Sequence, residues 1–592
     1  MRRWIPFVFA ILASGCLEVQ IRSLPEETPT DDAPALRLEA DRAAIDAGES
    51  VFLTWSGQGL TDCRAEGGWQ GPRLPAGGQW VGPLQEDTVF RLRCETTTGE
   101  TVSAETRVIV TPPEQPRLTG TVDGYWLTGS QPVWVYAFPA GIAADDRDGV
   151  DDPLATAPVE ETAPCRYGFR LDLPAGDYTL ALVRGADDPT IDGDAEVRGS
   201  WPVAVAATGA QVDLPAPNVV RVGPGGDYAT LAEAARAVAD GTVVEIAAGD
   251  YVDDVAVWRQ KGLVLRGVGG NVRVRAENEI GYEPGNDQAN GKGIFVLRGE
   301  DIRIEHLELS GARVPDRNGA GIRIDPVARR ITLCDVAIHD NENGLLGTAN
   351  DLRIEHSRFY DNGIQGADEL GISITHNLYV TDGTRLVFFA SESLRARTGH
   401  NLKSRARRNE VLYSVLADEA TGTASYAADF PNGGEVLILG SVLHKGPRSE
   451  NEALLAYGVE GLADDGRDHT LTLVHDTLVS RNGFGGEIFL AMAAGTRLLR
   501  LYNNLFLGPA QRLAGGAEQV EAQGNVDGED ADVADADAFD FRPVVGSRAL
   551  DAGIDLVGLD LPRPRWEPRR PAGLAPREVR GAGWDAGAYE GP

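Results

Sequence analysis

Apolar and polar residues alternate in short runs along most of this chain, and in its second half the runs recur. Eight segments share one pattern: apolar, any residue, apolar, then apolar again three and five residues later. They begin at Ile302 (IRIEHLEL), Ile331 (ITLCDVAI), Leu352 (LRIEHSRF), Leu386 (LVFFASES), Val411 (VLYSVLAD), Val436 (VLILGSVL), Leu471 (LTLVHDTL) and Leu499 (LRLYNNLF). Leu386 and Val411 fit the second half of the pattern less well. Successive starts lie 21 to 35 residues apart, the spacing of a solenoid whose units stack on their neighbours. Period-two alternation means strands, not the helix pairs of ankyrin or tetratricopeptide arrays. No LxxLxLxxN consensus recurs, which excludes leucine-rich repeats. Each unit therefore reads as one coil of a parallel β-helix, with Leu, Ile and Val ladders inside and variable loops at the corners.

The first half alternates differently. Short strands at Ala35–Ala40, Ser50–Trp55, Thr88–Cys94 and Thr106–Val110 suggest a small sandwich over 36–112. Strands at Pro132–Phe138 and Tyr178–Val183 suggest a second sandwich over 113–217. From 218 the character changes: Thr230-Leu231-Ala232-Glu233 is a capping box that opens a helix over Leu231–Ala239. A strand at Thr242–Ile246 follows, and the β-helix would run over 218–515. The remaining segment, 516–592, would cover the open edge of the last coil. The fold class is all-β, a parallel β-helix preceded by two β-sandwiches.

The helix before the first coil, together with the coil repeat, resembles the pectin lyase-like superfamily, which implies a right-handed parallel β-helix. Trp55 before Cys63, with Cys94 on a later strand, resembles bacterial immunoglobulin-like domains. The turn Leu173-Pro174-Ala175-Gly176-Asp177-Tyr178 resembles carboxypeptidase regulatory-like domains. Asp146, Asp148, Asp151 and Asp152 around Gly149 resemble a calcium loop, because spaced carboxylates at a turn suit a hard cation. The position that carries Glu in an EF-hand falls on Ala157. The tail, ending Trp584-Asp585-Ala586-Gly587-Ala588-Tyr589-Glu590, resembles the closing segment of secreted β-helix proteins.

Arg2 and Arg3, followed by the apolar run Trp4–Ala13, read as an export signal too short to span a bilayer. Leu12-Ala13-Ser14-Gly15-Cys16 resembles a bacterial lipobox, which implies cleavage before Cys16, a lipid on its thiol and a membrane partner. Leu17 after that Cys suggests the outer membrane or cell surface. Residues 17–35 would be the tether. Export also favours disulfides: Cys63 and Cys94 are the natural pair, and Cys165 and Cys334 are expected as buried free thiols. The net charge is −34, which speaks against a nucleic-acid partner. No P-loop or strand-helix GxGxxG is present.

Against that acidic background, 393–408 carries Arg395, Arg397, Lys403, Arg405, Arg407 and Arg408, with His400 and no carboxylate. Lysine occurs at four positions only, Lys261, Lys292, Lys403 and Lys445. A basic island of this kind suits an anionic polymer such as a uronate-containing polysaccharide. His376-Asn377-Leu378-Tyr379 and His400-Asn401-Leu402-Lys403 lie 24 residues apart and should stack on adjacent coils. With Leu378 and Leu402 inward, Asn377, Tyr379, Asn401, Lys403 and Arg405 face outward, and His376 and His400 point inward. Taking Tyr426 inward puts Asp429 outward beside Arg405. The stretch from Gly371 to Gly461 resembles uncharacterised secreted bacterial β-helix proteins with the same HNLY, GHNLKSRA and DFPNGG segments, a resemblance that brings no reaction with it.

The chemistry this arrangement suggests is β-elimination. A base takes the proton α to a uronate carboxylate while positive charge holds the carboxylate. Lys403 would be the base, its pKa lowered by neighbouring Arg. Arg405 would bind the carboxylate, and Tyr379 or His400 would donate to the leaving oxygen. Asp429 completes the cluster and is the one Asp placed for a calcium ion. Arg395, Arg397, Asn377, Asn401 and Asn432 would contact substrate. Epimerisation shares the first step. An inverting hydrolase would need a second carboxylate, Asp418, Glu419 or Glu450, beside Asp429. A non-catalytic glycan-binding or structural surface protein fits the same architecture.

Overall fold

The computed structural model describes residues 36–592 other than 58, 97, 112–116, 128–132, 140–153, 185–195, 207–208, 282–291, 365–374 and 484. Cys16, the tether and the acidic loop with Asp146, Asp148, Asp151 and Asp152 lie outside the described residues. The chain divides into two compact units. In the first, which includes 54–77 and 90–106, Leu60–Gly67 pairs antiparallel with Thr88–Thr96 over Leu60–Gly67 and Phe90–Thr96. Cys63 sits directly opposite Cys94 in that register, and the two are joined as a disulfide. Trp69 lies edge-on to Trp55 and Phe90 at 5.1 and 6.4 Å between ring centres, which fills this small core.

The second unit holds a β-sandwich of two four-stranded sheets within 117–214 and then the β-helix. Its sandwich core is Leu118, Val135, Phe169, Leu171, Leu180 and Leu182. A short helix, Leu231–Ala237, caps the first coil. Thr230 accepts from Glu233 N, and Glu233 accepts from the Thr230 backbone, as the capping box requires. The helix ends two residues earlier than the sequence suggests, because Gln260 Nε2 donates to the carbonyls of Ala235 (2.9 Å) and Val238 (3.2 Å).

The β-helix is right-handed and parallel, with 27 strands in one continuous sheet. Its strands form three stacked faces. On the first, Ile302 pairs with Ile331, Ile331 with Leu352, and Leu352 with Leu386. On the second, Leu309 pairs with Ile338 and Ile338 with Phe359. On the third, Phe295 pairs with Ile322, Ile322 with Leu345, and Leu345 with Leu378. One repeat is offset from its sequence reading. Leu386 pairs with Asn409 and Phe388 with Val411, so that coil begins at Asn409, whose polar side chain hides the match. Asn409 is fully buried, with its amide nitrogen on the Ala406 carbonyl at 3.0 Å.

The offset restores a regular corner. The fifth residue of every repeat, His306, Asp335, His356, Ala390, Tyr413, Gly440, His475 and Asn503, has φ between 47° and 58°. This left-handed bend separates the first face from the second and breaks the strand hydrogen bonds there. From the third coil on, the sixth residue supplies the missing acceptors. Ser357, Ser391, Ser414 and Ser441 accept from the backbone N–H of the sixth residue one coil earlier, at 3.0 to 3.1 Å. Asp476, Asn504 and Asn525 continue the column at 2.8 to 3.0 Å.

Two expectations are corrected here. Cys165 and Cys334 are not free thiols but a second disulfide, spanning 169 residues and joining the sandwich to the β-helix. Cys334 is the fourth residue of its repeat, facing out of the coil toward Cys165. Arg266 donates to both oxygens of Asp123 at 2.8 and 2.9 Å at the same junction. The tail also does more than close the last coil. Val533, Phe541, Ala549, Ala586 and Ala588 pack on Leu394, Ala417, Val442, Val479 and Leu507, the outward residues of the second face. Leu556 and Leu574 pack on Ala390, Tyr413, Leu439 and Val474 at the first corner. The tail reaches back as far as His356, which lies 3.2 Å from the Ala572 carbonyl. On the third face, by contrast, the outward residues Tyr379, Lys403 and Asp429 are polar.

Asn504 tests the corner column. Asn504→Ala leaves the Asp476 N–H and the Leu473 carbonyl without their partners, and should lower the stability by about 2 kcal/mol in urea unfolding. A change below about 0.5 kcal/mol would mean that the column is not what satisfies the bend.

Candidate functional site

The third face places Tyr379, Lys403 and Asp429 side by side. Tyr379 pairs with Lys403, and Lys403 with Asp429, on successive strands. Leu378, Leu402, Ala428 and Phe430 point into the core, so strand alternation sends their neighbours outward. Lys403 Nζ lies 3.2 Å from Asp429 Oδ2. His400 Nε2 lies 3.2 Å from the same oxygen. Arg405 Nε donates to the Tyr379 hydroxyl at 2.9 Å, and Arg405 Nη1 donates to Asn432 Oδ1. Asp429 is beside Lys403 in the register, with Arg405 one side chain further.

Glu460 is the member that sequence reasoning missed. Its Oε1 accepts from Lys403 Nζ at 2.5 Å and its Oε2 from Arg405 Nη2 at 2.5 Å. It sits on a twelve-residue connection, 458–469, between Ala453–Tyr457 and Thr470–Val474. That connection accounts for the widest spacing in the repeat, and long loops in a regular array often carry function. Its backbone is fixed: Glu460 N donates to the Pro431 carbonyl at 3.2 Å, and Ala463 N to the Asn432 carbonyl at 3.1 Å. Asn432 Nδ2 donates to the Gly461 carbonyl at 3.0 Å. The Glu460 side chain remains 43% exposed, against 10% for Lys403 and 25% for Arg405, so it meets the two cations from the solvent side.

The histidines and asparagines of the two HNL triplets exchange the sides expected of them. Asn377 and Asn401 are fully buried. Asn362 N donates to Asn377 Oδ1 at 3.1 Å, Asn377 Nδ2 to Asn401 Oδ1 at 3.1 Å, and Asn401 Nδ2 to Asp418 Oδ1 at 2.9 Å. They form an inner ladder at the corner before the third face and do not contact a ligand there. Alternation breaks between Asn and Leu, both of which point inward, and this turns each His outward. His376 and His400 lie 4.9 Å apart between ring centres, and Tyr426 follows 5.0 Å from His400. His400 N donates to His376 Nδ1 at 3.1 Å. Gly399, at φ 63°, permits that approach, since a Cβ there would lie 2.5 Å from His376 Nδ1.

The electrostatics correct two further expectations. The basic run is matched residue by residue with carboxylates, all but the partner of Arg408 from other coils, and does not stand as a free positive patch. Arg395 pairs with Asp361 and Glu419, Arg397 with Asp340, Arg407 with Asp465 and Arg408 with Glu410. Arg395 and Arg397 thereby lie apart from the cluster. Lys403 is not a lowered-pKa base either. Burial disfavours its ammonium, but Asp429 and Glu460 outweigh that and hold it above the usual lysine range. Burial raises the Glu460 carboxyl, yet its hydrogen bonds from Lys403 and Arg405 leave it below the usual range.

The other carboxylates considered with Asp429 do not join it. Asp418 is fully buried inside the coil, with its oxygens on Asn401 and Ser449. Glu419 is held by Arg395 and Arg570, and Glu450 accepts from Ser425. Asp429 and Glu460 share the Lys403 ammonium, so their nearest oxygens lie within about 6 Å, short of the separation that seats water in an inverting hydrolase. Two cation-forming side chains on Asp429 Oδ2 also make a poor setting for calcium. Among the described residues, Glu161, Cys334 and Glu355 converge closely enough for a metal, but the Cys334 sulfur is spent in the disulfide.

No family model matches this chain, and no curated protein matches it. Among solved structures it is similar to a rhamnogalacturonan lyase, at 14% identity over 53% of this chain and 90% of that one, TM-score 0.35. It is similar also to the pectin methylesterase PemA from Erwinia chrysanthemi, at 12% identity over 47% and 79%, TM-score 0.23. The pectin methylesterase from Yersinia enterocolitica matches at 10% identity over 42% and 79%, TM-score 0.24. The likeness assigns nothing to the site, and the fold rests on the strand register alone.

The histidines give opposite pH behaviour. Burial, then the charges of His400, Lys403 and Arg405, push His376 well below 6.5. Burial also lowers His356, but Glu161 outweighs it and raises the group. In NMR titration His376 should titrate below, and His356 above, the ordinary histidine value of about 6.5. The stability that His376 contributes is lost as pH falls below about 6.5, because only the unfolded chain takes up that proton. The part due to His356 is present below about 6.5 and is lost as pH rises through its higher folded value.

Proposed function

We propose that the third face of the β-helix holds the uronate carboxylates of an anionic polysaccharide, and that the protein acts on the polymer as a lyase does. The observation that carries this reading is Glu460. Its carboxylate places one oxygen on Lys403 and the other on Arg405, the two-point contact that a uronate carboxylate would make after displacing it. With Lys403 held protonated, its part changes from base to clamp: Lys403 and Arg405 neutralise the carboxylate as charge builds on it. The Tyr379 hydroxyl, held by Arg405, donates to the leaving oxygen, and the α proton passes to solvent, because His400 spends Nε2 on Asp429 and its Nδ1 is buried.

The full ion pairing of the basic run favours a second reading, a non-catalytic glycan-binding surface protein. An epimerase or hydrolase on the same fold stands behind both. Two disulfides support an oxidising compartment, consistent with export and a lipid anchor at Cys16. A calcium ion held by Asp146, Asp148, Asp151 and Asp152 is a separate proposal, at residues that lie outside the described ones.

Arg405→Ala should weaken uronate binding about 10- to 100-fold, the loss of a charge-assisted contact of about 1.5–3 kcal/mol. Glu460→Gln should strengthen it, because the ligand no longer competes with an internal carboxylate. Calorimetry with oligouronates reads both effects. New absorbance from unsaturated products, lost in Tyr379→Phe with binding kept, separates the lyase from the binding protein. If no uronate polymer yields such products, the catalytic half of the proposal fails. If Arg405→Ala binds as the unaltered protein does, the binding half fails too. Separately, Cys16→Ala should move the protein from the membrane fraction to the soluble one.

A further inference from the structure

The third face carries a second guanidinium whose surroundings differ from those of the basic run. Arg323 is on the strand Ala320–Ile324, where Ile322 and Ile324 fill the core. Its partners in the ladder are Val296 on one side and Leu346 on the other, so no carboxylate stands opposite it across either strand. Its one hydrogen bond is a long contact of 3.5 Å from Nη1 to the Asn318 carbonyl. Among the described residues no carboxylate oxygen lies within ion-pair distance of it, whereas its neighbours Lys292 and Arg298 are paired with Asp316 and Asp325. A guanidinium offers five donors, and since no nitrogen of Arg323 is both buried and unpartnered, those that no protein group meets face solvent and are open to a ligand.

The space in front of Arg323 is a concavity of about 270 Å³. Lys292, Arg298, Asp325, Thr348 and Thr381 line it with Arg323, the Asp325 carboxylate being held by Arg298, and the two threonine hydroxyls are 2.7 Å apart. Cationic and hydroxyl groups therefore converge there around one underused fork. The concavity belongs to the same face as the Lys403 cluster: Arg323 pairs with Leu346, Leu346 with Tyr379, and Tyr379 with Lys403. Three strand steps at about 4.8 Å put the two positions about 14 Å apart along the β-helix axis.

We infer that Arg323 and its concavity form a second carboxylate subsite, in line with the Lys403–Arg405 clamp, so that the ligand is a polymer with acidic residues along its length and is held at two points. This rests on the reading of the third face as a uronate-binding surface and adds where a second uronate sits. A planar fork suits a carboxylate two-point contact, and the threonine pair would meet the sugar hydroxyls. Lys292 and Arg298 stay paired with Asp316 and Asp325, so Arg323 carries the charge of the subsite.

The test compares ligand lengths on the full chain. Galacturonate monomer and a hexagalacturonate are titrated calorimetrically into the unaltered protein, Arg323→Ala, Arg323→Lys and Arg405→Ala, with thermal melts to check folding. The hexamer should lose about tenfold or more in affinity with Arg323→Ala and less with Arg323→Lys, which keeps the charge but not the fork. The monomer, held at the clamp, should be unaffected by Arg323→Ala and weakened by Arg405→Ala. Equal hexamer affinity in the unaltered protein and Arg323→Ala, with Arg405→Ala still impaired, overturns the subsite and leaves the clamp standing. If neither ligand binds the unaltered protein, nor any other uronate series, the reading of the face falls and the subsite with it.

Discussion

At every bend of a β-helix the strand ladder stops, and the backbone N–H groups of the corner must find acceptors inside the coil. That constraint organises this molecule more than the apolar stacks do, since an unmet buried N–H costs what several methylenes contribute. Here the answer is a column of side-chain oxygens, Ser357, Ser391, Ser414, Ser441, Asp476, Asn504 and Asn525, each serving the N–H of the coil before it. A second column, Asn341, Asn362, Asn377 and Asn401, does the same at another corner. The polar interior dictates which residues are free for the surface.

The site follows from this. Because Asn377 and Asn401 are drawn inward to the corner, the histidines before them are turned outward, and His400 comes to share Asp429 with Lys403. The same coil thus spends its amides on structure and its imidazole and ammonium on the surface. The tail directs attention to the same face. It covers the apolar outward residues of the second face and the first corner, where Leu394, Val442 and Val479 would otherwise meet water, while the third face carries Tyr379, Lys403 and Asp429.

Much of the architecture was legible from periodicity, because inward Leu, Ile and Val repeat in every coil and a burial pattern is written locally. Asn409 shows the limit: a polar residue at an inward position shifted one repeat by two residues. Tyr379, Lys403, Arg405 and Asp429 could be grouped because strand parity fixes them relative to Leu378 and Leu402. Parity failed for Asn377 and Asn401, where a corner places two consecutive side chains inside. Glu460 was hidden for a different reason, since it reaches Lys403 across 57 residues and no local pattern records that. The basic run misled in the same way: five of its six cations meet carboxylates that are distant in sequence and near in space, and only Arg408 has its partner, Glu410, close by in the chain.

The Cys165–Cys334 bond has a consequence for the fate of the chain under proteolysis. It closes a loop of 169 residues that contains the rest of the second sandwich and the first coils of the β-helix. A protease that cut once anywhere between those cysteines would sever the polypeptide without releasing either half, because the sulfur link would still tie the N-terminal modules to the column. Retention of the β-helix therefore does not depend on an intact backbone in that region, provided the surroundings stay oxidising.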